Sequence, residues 1–171
     1  PLIVRWPGRI EPGVVTDFTE HLDLGPALLE MLGAPPFEVQ HGQSLAPYLR
    51  GRKPEKPRDH IISQYLENEE IFVRTQKWKL IYCSGRRRRL DGYETEYPAP
   101  GRYVRLFDLE RDPGEFRNVA PEHAGIVADL KRIALERLRA THPEAAAEPS
   151  SGSVEDLLDF YLRPRDARPQ A

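Results

Sequence analysis

Between His60 and Glu110 lie four short runs rich in β-branched and aromatic residues: "HIISQYL", "IFVRTQ", "WKLIYC" and "YVRLFDLE". Extended runs of this length leave their backbone N–H and C=O groups needing partners, so each must pair with a neighbour. Only a few residues separate the first three, whereas a parallel return needs a crossover of about a dozen. The spacing therefore predicts an antiparallel meander. The acidic "ENEE" makes the first turn, and the polar stretch "SGRRRRLDGYETEYPAPGR" separates the third run from the fourth. Beyond the fourth, "RDPGE" puts Pro113-Gly114 at the centre of a type II turn.

A helix is predicted next, with Pro121 in its first turn and its end at His142-Pro143. Val127, Leu130, Ala134 and Leu138 give it one apolar face. A helix packed on a small antiparallel four-stranded sheet is an α+β arrangement. Ahead of the sheet, "PLIVRWPG" reads as a buried strand running into a Pro7-Gly8 turn. "HLDLGPALLEMLG" reads as a helix with Asp23 as N-cap and Gly33 as its stop. "SLAPYLRG" reads as a short helical turn, and "GRKPEKPRD" as a charged connector. After the long helix, "EAAAEPSSGS" has linker composition. A last short helix follows, with Ser153 as N-cap and Val154, Leu157, Leu158 and Tyr161 as its stripe. The expected organisation is residues 1–52 (strand and helices), 53–142 (sheet and helix) and 143–171 (linker, short helix and tail).

A formal net charge of −2 carries no nucleic-acid or membrane signature, and no apolar run is long enough to span a bilayer. One cysteine, Cys83, excludes an internal disulfide. The chain starts inside an expected strand, and its only methionine is Met31, so we expect the back end of something larger. The opening strand, cut from its neighbours, is expected to expose apolar surface or drive self-association.

Four stretches in order, "PLIVRWPGRIEPG", "HLDLGPALLEMLG", "HGQSLAPYLRG" and "VRTQKWKLIY" through "LFDLERDPGEFRNVA", together resemble the C-terminal part of type I sulfatases. These enzymes belong to the alkaline-phosphatase-like superfamily. The resemblance implies that 1–52 is the last strand and helices of an α/β core, and that 53–142 is the C-terminal subdomain. It further implies a parent enzyme whose N-terminal catalytic part holds a cysteine matured to formylglycine, the ligands of a divalent cation (usually calcium) and the sulfate-binding His and Lys. In such a parent the hydrated formylglycine attacks sulfur while cations stabilise the sulfuryl oxygens. By the same resemblance this chain carries no catalytic residue, no metal ligand and no cofactor of its own. Its partners are the catalytic part and a sulfated small molecule or glycan. Alternatives are a phosphonate- or phosphodiester-hydrolase parent, or a stand-alone module binding anionic glycans.

"CSGRR" approaches the Cys-x-Pro-x-Arg maturation motif, but Gly85 stands where proline is needed. Cys83 to Arg89 also spells the Cys-x5-Arg of thiol phosphatases, without their preceding histidine. The plainer reading makes Cys83 the end of a strand. Arg86, Arg87, Arg88 and Arg89 form a candidate anion site, against which stands a solvated loop neutralised by Asp91, Glu94 and Glu96. His41, beside Gly42 in a loop, and Gln64, Glu67 and Asn68 in "SQYLENEE" are candidates for the rim of a substrate entrance. The isolated chain is expected to turn over no aryl sulfate, with or without calcium. Turnover that disappears on Cys83→Ala would overturn this.

Overall fold

The structure, a computed structural model, describes residues 2–65, 69–85 and 101–163. The chain divides between Ile61 and Ile62 into two units.

In the first unit the expected opening strand is not formed. Residues 2–4 lie in no strand and Ile3 is 85% exposed. An extended segment is stable only beside another, and none pairs with it among the described residues. The Pro7-Gly8 turn does form: Arg9 N–H donates to the Trp6 carbonyl at 3.1 Å, and Gly8 has φ +72°. A 3-10 turn, His21–Asp23, leads into α1 (Leu24–Leu32), which ends at left-handed Gly33. Asp23 does not cap α1 through its side chain, contrary to expectation. Its carboxylate instead accepts from Glu20 N–H (2.7 Å), Gln43 N–H (2.8 Å) and the Arg58 guanidinium (2.5 Å). The intervening 3-10 turn makes this possible, because it places Asp23 inside the helical path and Glu20 at its start. α2 (Ala46–Leu49) is the short turn expected. α1 buries Pro26 and Ala27 yet leaves Leu28 and Leu32 exposed on its other side.

From the division onward, β1 (His60–Tyr65, its first two residues before the division), β2 (Glu70–Thr75), β3 (Trp78–Cys83) and β4 (Tyr103–Asp108) form one sheet in sequence order. The pairs β2–β3 and β3–β4 are antiparallel, as the meander requires. Ile71, Val73, Leu80, Tyr82 and Leu106 alternate onto one face. Against them pack Leu130, Ala134, Leu135 and Leu138 of α3 (Ala124–Thr141), and Leu157, Leu158, Tyr161 and Leu162 of α4 (Val154–Leu162). Each fully buried aliphatic side chain contributes about 1.5–3 kcal/mol, and this cluster is the core. Pro121 sits in a separate 3-10 turn, Ala120–Glu122, rather than in α3. His123 breaks the path and packs its ring on Trp78, centroids 5.0 Å apart. Ser153 caps α4 reciprocally with Asp156, as expected.

The linker-like stretch is held down. Glu148 accepts from Arg139 Nε and Nη2, at 2.8 and 2.6 Å, and from the Tyr161 hydroxyl at 2.6 Å.

The turn at 112–115 departs from type II. Glu115 N–H donates to the Asp112 carbonyl, but the positive φ falls on Glu115 (+59°) and not on Gly114. Lys79 Nζ holds the Glu115 carboxylate at 2.7 and 2.9 Å, which fixes that residue in an unfavourable conformation. Asn118 then covers the outer edge of β4. Its Oδ1 accepts from Leu106 N–H and its Nδ2 donates to the Val104 carbonyl, standing in for a fifth strand. Among the described residues no helix is long and apolar enough to cross a membrane.

Asn118→Leu is expected to cost about 1–3 kcal/mol in urea unfolding, since it orphans the Leu106 N–H and the Val104 carbonyl. A cost indistinguishable from zero would show that the edge is satisfied by water. Arg139 first, and Tyr161 second, lower the Glu148 pKa to about 2. A depressed carboxyl stabilises fully above its ordinary value of 4.5, and that contribution is lost as pH falls toward about 2. The stability gap between wild type and Glu148→Gln should therefore narrow from about pH 6 to about pH 3. A constant gap would refute the assignment.

Candidate functional site

The strand register aligns Glu70 with Cys83, and Cys83 with Tyr103, at one end of the sheet. Tyr65, Glu69, Gly85 and Gly101 are the feet from which 66–68 and 86–100 depart, and the last three flank this row. Two features of the chain's chemistry build the end. The first is a set of carboxylates, each given donors by the fold. Glu69 is 3% exposed with φ +53°. Its carbonyl accepts from Ser84 N–H at 3.1 Å, and its carboxylate accepts from the Ser84 hydroxyl. The Glu70 carboxylate accepts from the Tyr103 hydroxyl. Asp159, fully buried on α4, accepts from the Tyr82 hydroxyl at 2.5 Å and from the Arg102 guanidinium. Burial and then the Asp159 carboxylate drive the Tyr82 hydroxyl far above its ordinary pKa, so it remains a donor. Lys131 pairs with Glu155 at 2.6 Å, its Nζ 5.3 Å from the Tyr82 ring centroid.

The second feature is a close approach of backbone. A Cβ on Gly85 (φ +70°) would lie 1.9 Å from the Gly101 carbonyl carbon, so only glycine fits. The strand feet thus meet in a narrow neck.

On the sheet face away from α3 a shallow depression of about 210 Å³ is lined by Gln64, Tyr65, Glu70, Phe72, Tyr103 and Arg105, among others. Lys79 lies over the Phe72 ring at 5.5 Å and Arg105 over the Tyr103 ring at 4.8 Å. Of the residues singled out in the sequence, Gln64 lines this depression. His41 is an exposed loop residue of the first unit. Its neighbour Gly42 lies so near the Leu22 carbonyl that a Cβ would meet that oxygen at 1.9 Å. Glu67, Asn68, Arg86, Arg87, Arg88 and Arg89 lie outside the described residues. Glu69, Ser84, Arg102 and Asp159 were not anticipated. No local motif marks them, because their partners lie 15 and 57 residues away.

Cys83 closes β3, and burial foremost raises its thiol to about 11. Among the described residues no three His, Cys, Asp or Glu side chains come together as a metal centre requires. The carboxylates here are engaged as acceptors of neighbouring hydroxyl and guanidinium groups. In the native protein Cys83 should resist iodoacetamide at about pH 7.5, a pH at which an ordinary thiol reacts and the urea-unfolded chain is labelled. Rapid native labelling would contradict the raised pKa.

The family model of N-sulphoglucosamine sulphohydrolase C-terminal regions matches residues 1–141. A choline-sulfatase of Rhizobium meliloti is 31% identical over 149 residues, spanning 83% of this chain and 25% of the relative. An N-acetylgalactosamine-6-O-sulfatase of Bacteroides thetaiotaomicron is 29% identical over 144 residues, spanning 78% and 26%. A solved structure from Bacteroides thetaiotaomicron, described with the metabolism of multiple glycosaminoglycans, superposes with TM-score 0.61 at 29% identity. It covers 81% of this chain and 28% of that one. A phosphonate monoester hydrolase from Silicibacter pomeroyi gives TM-score 0.61 at 26% identity, covering 84% and 29%. The chain spans about a quarter of the length of these curated relatives.

Proposed function

This chain belongs to the N-sulphoglucosamine sulphohydrolase C-terminal family, within the sulfatases of the alkaline-phosphatase-like superfamily, and we propose that it completes a sulfatase fold and walls its substrate entrance. The observation that carries the first half is the apolar surface of the first unit. All the exposed large apolar side chains among the described residues fall there, except Tyr65 and Phe116. α1 presents apolar residues on opposite sides, a pattern that belongs to a helix covered all round. Burial stabilises by about 25 cal/mol per Å² of apolar surface, and the catalytic part of the parent is the partner that supplies the cover. On this reading residues 1–52 are the trailing edge of the catalytic core, and cation and formylglycine belong to that core.

The second half rests on the loop end of the sheet. Gln64 with Glu67 and Asn68 contacts substrate at the rim, Arg86, Arg87, Arg88 and Arg89 attract its anionic groups, and His41 is a separate substrate contact on the first unit. The substrate is a sulfated small molecule or glycan. A second reading, a phosphonate monoester hydrolase parent, draws on the likeness to the Silicibacter pomeroyi enzyme.

In the whole enzyme that carries this region, Gln64→Ala is expected to raise KM for a sulfated saccharide about tenfold, equivalent to about 1.4 kcal/mol. Turnover of a small aryl sulfate, which does not reach the rim, should stay near wild type. Unchanged KM for both substrates would sink the rim assignment. A kcat/KM for a phosphonate monoester above that for the aryl sulfate would select the second reading.

A further inference from the structure

Asp159 sits on α4, 57 residues along the chain from Arg102 and 77 from Tyr82, yet it is the acceptor both share. The two donors do different jobs. Tyr82 is a fully buried core residue of β3, and its hydroxyl fixes the carboxylate from beneath. The Arg102 side chain is 43% exposed and stands at the C-terminal foot of 86–100, directly after Gly101 in the neck. A half-exposed guanidinium needs no buried partner for its own sake, because water would solvate it. A fully buried carboxylate does need a charged donor. The pair therefore restrains Arg102 rather than the other way about.

The neck has three further ties: Ser84 to Glu69, Tyr103 to Glu70, and the Gly85–Gly101 approach. Those ties lie within the sheet end itself. Asp159 ties it to a helix through Arg102, and Lys131 with Glu155 fastens the first turn of that helix to α3.

We propose that Asp159 is a positioning residue, through which the last helix fixes the neck where Gly85 meets Gly101. α4 is then a strut for the loop end, and not only a cover for the core. That this matters for substrate rests on the function proposed above; the mechanical coupling stands without it.

Hydrogen exchange on the full chain tests the coupling. Asp159→Asn keeps an oxygen for the Tyr82 hydroxyl and removes the charge that holds Arg102. Peptides covering 83–85 and 101–105 should accelerate at least about tenfold more than those covering Ile71–Val73, which report the global loss of stability. Arg102→Gln reaches the same bond from its exposed side, so it remains informative if Asp159→Asn fails to fold. It should reproduce the effect, and the double variant should add nothing further. Glu148→Gln, which loosens α4 elsewhere, should leave the neck protected. Uniform acceleration across the sheet, or unchanged protection at the neck, would overturn the proposal. In the whole enzyme, a loosened neck with unchanged KM for the sulfated saccharide would leave this coupling intact and count against the rim assignment instead.

Discussion

A carboxylate shut away from water must be supplied with donors by the fold itself, and Asp23 and Asp159 set this condition in the two units. Asp23 draws together Glu20, Gln43 and Arg58; Asp159 draws together Tyr82 and Arg102. Removing one partner of such a buried set costs about 3–5 kcal/mol, because the remaining charge has nowhere to go. An apolar contact would tolerate a slip of an ångström; these contacts do not. They specify which stretches meet, while the aliphatic cluster of the second unit supplies most of the stability.

The two units differ in how far they satisfy themselves. The second has a sheet, two helices and a shared core, and its turns and edge are closed by its own side chains. The first is organised by polar links but buries few large apolar groups, with Ala27, Leu45 and Ala46 its buried hydrophobic residues. Membership in the sulfatases gives this contrast a context, since the chain spans about a quarter of its curated relatives.

Local pattern made the second unit legible. The meander, the amphipathic spacing of α3 and α4 and the Ser153 cap all follow from neighbours within a few residues. Where the decisive partner lay far off, the sequence misled. Leu2-Ile3-Val4 has strand composition and, among the described residues, no strand beside it. Asp23 looks like a cap, but Gln43 and Arg58 claim it. Pro113-Gly114 has the residues of a type II turn, yet Lys79 on β3 favours left-handed Glu115 instead. The candidate site divides the same way. Gln64, singled out by its hairpin setting, lines the depression, whereas Asp159 reads as an ordinary acid on a helix face.

Asn118 carries a consequence for how copies of this sheet can join. One margin, β4, is occupied by an amide side chain that already answers its peptide groups. The opposite margin, β1, has no strand beyond it among the described residues. A sheet sealed on one side adds strands in one direction only. Two copies meeting β1 to β1 would present a sealed margin at each end, and growth would stop at the pair. Asn118, with the Val119 N–H on the Leu106 carbonyl, thus disfavours an endless ribbon built through the β4 margin.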